Sequence, residues 1–196
     1  MPPQPKHQGN SARDRLLTAA AVLFYNDGIA ATGIDAITAR AGVAKQSLYN
    51  NFASKSDLVA AYIDQRHDEW LALYAAREAT AHHPKDKILA VFDAYDDHAT
   101  FAYERGFRGC GLLNAAAELD ANDVGRTAVR RHKEQVEAIL HTELAQLLPD
   151  DTARAETLAA HLAFLLEGAM TRAGLEGDAN RLRSARAMAQ DMLARL

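Results

Sequence analysis

From residue 11 onward the apolar positions recur at helical spacing. Leu16, Ala19, Ala20, Leu23 and Phe24 fall at i, i+3, i+4, i+7 and i+8, which is one face of a first helix. Ser11 stands where an N-cap belongs, Asp14 follows three residues on, and Gly28 marks the stop. A second short helix follows Thr32 and Gly33, with Ile34, Ile37 and Ala41 on one face, and Gly42 breaks it. Residues 45–52 form a third, with Leu48 and Phe52 four apart. Ser54 then caps a long helix through Leu58, Ile63, Trp70 and Tyr74 to about Arg77.

The same period continues. Pro84 starts a helix expected to reach about Tyr103. Gly106, Gly109 and Gly111 punctuate a turn before a short helix from Leu112 to Glu118. Asn122 or Asp123 caps the next helix, which ends near Leu148 and Pro149. Asp150 and Asp151 open another, to about Ala173, with Leu158, Leu162, Leu165, Leu166 and Ala169 on its apolar side. Gly177 and Asp178 precede a last helix carrying Leu182, Ala185, Met188, Ala189 and Met192. No stretch alternates strictly with period two, so the expected fold is all-α. The expected organisation is a disordered, Pro-rich tail over 1–10, a helix-turn-helix domain over 11–57, and a helical ligand-binding and dimerisation domain over 58–196.

Composition narrows the classes. At 196 residues with 48% apolar and 24% charged residues, the chain can bury a core without staples. Cys110 is the only cysteine, so neither an internal disulfide nor a thiolate zinc cage can form within one chain. There is no signal-like apolar core and no apolar run of about 18 residues, so the expected location is the cytoplasm. No Ser-His-Asp order, phosphate-cradling glycine loop, paired carboxylates or well-spaced metal ligands appear, so neither enzyme activity nor a cofactor is expected. The net charge of −4 argues against a bulk polycation coating nucleic acid.

That charge is uneven. Residues 1–57 hold six Lys and Arg against four Asp, a balance of +2, whereas the rest holds sixteen against twenty-two acids, −6. The basic part coincides with two short helices separated by Gly42, the shape of a helix-turn-helix, in which Ile37, Ala41, Val43 and Leu48 can fix the crossing. The second of them opens on small or polar residues suited to a major groove: Ala44, Lys45, Gln46 and Ser47, then Tyr49, Asn50 and Asn51. Lys45 can donate to guanine or phosphate, and Gln46 and Asn50 can bond adenine bidentately. Tyr49 suits a phosphate oxygen, as does Lys55 at the next helix start.

The run GIAATGIDAITARAGVAKQSLYNNFASKSDL, from Gly28 through Leu58, resembles the TetR (tetracycline-repressor) family. The likeness is carried by the Ala41, Gly42, Val43 turn, by Leu48, Tyr49 and Phe52, and by Ser54, Lys55 and Leu58. The resemblance implies an all-helical homodimer with an N-terminal three-helix DNA-binding domain and a C-terminal regulatory domain. It implies phosphate contacts from Thr32, Tyr49 and Lys55, with Lys45, Gln46, Ser47 and Asn50 facing bases or nearby phosphates. Thr38 departs from the small alanine usual there, and Asn51 from a frequent aromatic. The family's last two helices pair with their copies, which here assigns Leu158, Leu162, Leu166, Leu182, Ala185, Met188 and Met192 to a dimer interface. A symmetric dimer reads a palindromic operator on double-stranded DNA.

Trp70, Tyr74, Phe92, Tyr95, Phe101, Leu113 and Phe164 could line an effector pocket, with His98, Asn114 or Glu118 as polar anchors, for a small and largely apolar ligand. The expected function is a transcriptional regulator, a repressor released by that ligand. Two alternatives stand beside it: a DNA-binding regulator controlled by a protein partner or the redox state of Cys110, and a helical enzyme or adaptor whose helix-turn-helix is structural.

Overall fold

Ser11 opens the first helix as the spacing predicts: its hydroxyl oxygen accepts from the Asp14 amide at 3.1 Å and its proton goes to the Asp14 carboxylate at 2.6 Å. In the computed structural model, which describes residues 11–101 and 103–196, this helix, α1, spans Ala12–Asp27. The expected tail over 1–10 lies outside the described residues. There follow α2 (Ile34–Ala41), α3 (Lys45–Asn51), α4 (Lys55–Glu78), α5 (Pro84–Ala99), α6 (Gly111–Ala117), α7 (Val124–Leu147), α8 (Thr152–Glu176) and α9 (Asn180–Leu193). Among the described residues there is no strand, and the fold is all-α as expected.

Two helix ends differ from the sequence expectation. α5 stops at Ala99 because its last carbonyls are satisfied without another turn. The Thr100 amide is shared between Asp96 and Asp97, the Thr100 hydroxyl donates to Asp97, and the Tyr103 hydroxyl donates to the His98 carbonyl at 3.0 Å. α8 runs on to Glu176 because Gly177, at φ 79°, supplies a left-handed cap whose amide reaches the Ala173 carbonyl at 2.8 Å.

The chain also divides differently from the boundary expected at residue 57. One compact unit takes in the described residues up to Glu69 together with Gly111–Val129, and the other holds Trp70–Cys110 with Arg130–Leu196. Residues 58–69, α6 and the first turn of α7 therefore pack with the helix-turn-helix helices, a long-range association with no local signature.

In the first unit α1 packs on α2, α3 and α6, and α2 packs on α3. Leu16, Ile37, Leu48, Leu58 and Tyr62 are fully buried there, and Phe24 meets Tyr62 edge-on at 5.5 Å. Each such side chain contributes about 1.5–3 kcal/mol by leaving water. The turn between α2 and α3 rests on Gly42, at φ 64° and ψ 39°, with its amide on Ala39 and that of Val43 on Thr38. Thr38 is accommodated in this packing because its hydroxyl bonds the Ile34 and Asp35 carbonyls, so no buried polar group is left over.

In the second unit α9 packs on α5 and α8. Phe92, Ile88, Leu140, Leu144, Leu162 and Leu166 form its fully buried core. Arg186 pairs with Asp93 at 2.6 Å and Arg183 with Asp96 at 3.1 Å, joining α9 to α5 at the surface. Gly174 in α8 lies against the backbone of Gly109, where an added Cβ would come within 2.6 Å of the Gly109 Cα. Helix propensity alone says that Gly174→Ala stabilises by about 1 kcal/mol. The contact predicts the opposite sign, a loss of about 1–3 kcal/mol in urea-induced unfolding, because backbone cannot give way as a side-chain tip can.

Candidate nucleic-acid interface and regulatory core

α3 presents its polar residues as one exposed stripe. Leu48 faces inward at zero exposure, which turns Lys45, Gln46, Tyr49 and Asn50 outward, at relative positions i, i+1, i+4 and i+5. Tyr49 is 48% exposed although it is a large aromatic residue. Gln46 Nε2 donates to Asn50 Oδ1 at 3.1 Å, so the two amides are held side by side. Lys45 Nζ pairs with Asp35 on α2 at 2.9 Å, and that hydrogen bond and charge raise the lysine above its ordinary range. Ser47 is half-buried, and its carbonyl accepts from Asn51 Nδ2 at 2.7 Å. Asn51 thus closes the end of α3.

Thr32 and Lys55, expected at phosphate contacts, both bond the backbone of the turn between α1 and α2. Thr32 is only 3% exposed, and its hydroxyl donates to the Gly28 carbonyl at 2.6 Å. Lys55 Nζ donates to the Ile29 carbonyl at 2.6 Å. Both brace the turn between α1 and α2, because the carbonyls of a tight turn need donors when water is shut out. A third brace comes from Glu118, just past α6, whose carboxylate accepts from the Ile29 amide at 3.0 Å and the Ala30 amide at 2.8 Å.

The residues proposed for an effector pocket separate into groups. Trp70, Tyr74 and Tyr95 come together: Trp70 stacks on Tyr74 at 5.7 Å and meets Tyr95 at 5.3 Å. His98 and Phe101 form a second aromatic group with Tyr103 and Phe107, and Phe92 is buried on α5. Leu113 and Asn114, on α6, belong to the first unit rather than to this one. Phe164 lines no interior wall, being 71% exposed on α8.

Polar residues absent from the sequence expectation complete the Trp70 group. His132 meets the Trp70 ring edge-on at 5.3 Å, and its Nε2 lies 3.3 Å from the Tyr95 hydroxyl. Lys133 Nζ reaches Glu167 at 2.8 Å, the Tyr95 hydroxyl at 3.3 Å and Cys110 Sγ at 3.8 Å. Burial works against charge on Lys133, but the neighbouring acidic groups outweigh it and hold the ammonium above the usual lysine range. Burial likewise pushes the Tyr95 phenol up, so it stays a neutral hydroxyl. Trp70 is 3% exposed, and its Nε1 has no hydrogen-bond partner among the described residues. The signal for this group lay in α7, where His132, Lys133 and Glu143 interrupt an apolar stripe of Val129, Val136, Leu140 and Leu144. Polar residues at core positions mark a buried network.

The expected dimer residues also sort by burial. Leu162, Leu166, Leu182 and Ala185 are spent inside their own unit, and Leu158 and Met192 are half-buried. The exposed large apolar residues of α8 and α9 are Phe164, Leu175 at 80% and Met188 at 55%. Periodicity cannot tell these two faces apart on a helix that is apolar most of the way round. Among the histidines, His83 caps α5, its Nδ1 accepting from the Lys85 amide at 3.2 Å. Among the described residues, no three His, Cys, Asp or Glu gather as metal ligands, and no helix is long and apolar enough to cross a membrane.

A short recognition helix behind a glycine turn, carried by an all-α body, defines the helix-turn-helix class of regulators. Residues 16–62 match the family model described as bacterial regulatory proteins, tetR family, and residues 84–189 that described as Tetracyclin repressor-like, C-terminal domain. The chain belongs to the TetR family. It is 34% identical over 94 residues to the HTH-type transcriptional repressor KstR2 of Mycolicibacterium smegmatis, which covers 48% of this chain and 46% of that protein. It is 33% identical over 85 residues to the HTH-type transcriptional activator FasR of the same organism, covering 43% and 39%. These matches span less than half the length of either relative. Among solved structures, SCO4454, a TetR-family regulator from Streptomyces coelicolor, is 32% identical with a TM-score of 0.83 over 94% of both chains. A second, from Streptomyces avermitilis, is 30% identical with a TM-score of 0.72 over 91% of this chain and 98% of that one.

The bracing role of Thr32 separates from a phosphate-contact role by its effect on the protein alone. Thr32→Val keeps the shape, removes the donor and strands the Gly28 carbonyl, so urea unfolding without DNA is expected to show a loss of about 1–2 kcal/mol. A hydroxyl reserved for phosphate would leave that stability unchanged.

Proposed function

We propose that this protein is a sequence-specific regulator of transcription, a repressor that holds a palindromic operator as a homodimer and is released by a small, largely apolar effector. The observation that carries the DNA reading is the α3 stripe of Lys45, Gln46, Tyr49 and Asn50, outward-facing and fixed in orientation by the buried Leu48. Such a regulator works beside the chromosome, in the cytoplasm. On binding, a phosphate replaces Asp35 as the partner of Lys45; that ion pair is exposed at both ends and is readily exchanged.

The second copy is expected on the face of α8 that carries Phe164 and Leu175, eleven residues and just over three full turns apart, with Met188 of α9. These are the large apolar side chains that α8 and α9 leave exposed for a second copy to cover. The effector is expected at the Trp70, Tyr95, His132 and Lys133 group, because the buried indole N–H asks for an acceptor that none of the described residues supplies. With no acceptor for that N–H among the described residues, the ligand chemistry follows: an apolar body with one carbonyl or similar acceptor. Release requires the ligand to bind the released conformation more tightly than the operator-bound one.

Fluorescence anisotropy with a duplex selected from a random library tests the DNA reading. Binding should weaken steeply with salt through counterion release. Lys45→Ala should weaken the specific complex by about tenfold, and Tyr49→Phe by less, with helicity unchanged. Phe164→Glu should sediment as a monomer and lose operator affinity with it, since one half-site alone is then held. Wild-type protein that selects no sequence overturns the reading. Trp70 is the only tryptophan, so its emission should change with any compound that releases the operator. A releasing compound that leaves that emission untouched places the effector elsewhere.

A further inference from the structure

We propose that Glu118 is the positioning residue through which the end of α6 holds the helix-turn-helix in its operator-reading geometry; this deepens the regulator reading and rests on it. The turn between α1 and α2 is held from three sides. Glu118 takes the amides of Ile29 and Ala30, 3.0 and 2.8 Å away, across almost ninety residues of sequence. Lys55, at the start of α4, takes the Ile29 carbonyl, and Thr32 takes that of Gly28. The fit leaves no slack, since a Cβ at Gly28 would stand 2.7 Å from Glu118 Oε1. The carboxylate occupies the space a side chain would need.

Glu118 is itself held from behind. Arg126, in the first turn of α7, donates from Nη1 to the Ala116 carbonyl at 2.9 Å and to that of Leu119 at 3.4 Å, so the peptide groups on both sides of Glu118 are pinned. The chain therefore runs from α7 through the end of α6 to a carboxylate, and from there to a turn that leads within four residues into α2. α2 packs on α3, so a shift of the α6 end withdraws the acceptor from two amides and frees the angle at which α3 is presented. Signals that move α6 thereby reach the DNA without touching it.

The charge of Glu118 makes the test decisive. A carboxylate that merely faced solvent on a DNA-binding unit would repel phosphates, and Glu118→Gln would then tighten binding slightly. The latch predicts the reverse. The expected result, by anisotropy against a duplex selected by wild-type protein, is that Glu118→Gln raises the operator Kd about tenfold and Glu118→Ala at least as much. Affinity for random duplex should stay level or tighten, so the specificity ratio falls. Hydrogen exchange should quicken at the Ile29 and Ala30 amides while the Leu16 and Leu48 amides hold their protection. Glu118 is exposed, so both variants are expected to fold. An operator Kd in Glu118→Gln equal to or below wild type overturns the latch and leaves the regulator reading standing. Wild-type protein that selects no sequence overturns both.

Discussion

A helix of seven residues cannot hold itself up. In water, helices below about 12–15 residues are marginal even with favourable sequences, and α2 and α3 have eight and seven residues. Their existence and their angle both come from burying Ile37, Ala41 and Leu48 against α1, with Phe52 closing the corner beneath the Arg13 guanidinium at 5.1 Å. The stripe of Lys45, Gln46, Tyr49 and Asn50 is thus as well aimed as that small core is well packed.

The polar groups follow from the same constraint. Once the α1–α2 turn is folded against the core, its carbonyls and amides need partners other than water. Thr32, Lys55 and Glu118 supply them, although the first two have residue types that suit a phosphate equally well. In the second unit Lys133 is buried beside Tyr95 and pairs with Glu167 at 2.8 Å. Lone charges there would be costly, and paired ones give a fixed arrangement of donors and acceptors beside Trp70. The +2 balance is confined to the stretch up to residue 57 that carries the recognition stripe, and the acidic surplus lies after it.

Much of this was legible in order along the chain. Helical periodicity located each helix, Ser11 and Gly42 located their ends correctly, and the run from Gly28 to Leu58 named the family that the comparisons then showed. Less was legible wherever a residue type serves two purposes. Thr32, expected at a phosphate contact, is buried against the turn that precedes α2. Phe164 was assigned to a pocket and lies on the surface, while Leu162 and Leu166, assigned to a partner, fill their own core. Glu118 was given to a ligand-binding region and braces the DNA-binding unit instead.

The division has a physical basis. Sequence by itself determined what depends on neighbours within a turn or two: helix, cap, break, charge balance and the composition of the recognition helix, since backbone hydrogen bonds and capping act over three or four residues. Tertiary structure alone decided which face of α8 is inside, where the two compact units divide, and which donor meets which carbonyl. Those are set by contacts such as Glu118 with Ile29 and Lys133 with Tyr95, 89 and 38 residues apart. No periodicity records them, because burial is a property of what arrives from elsewhere in the chain.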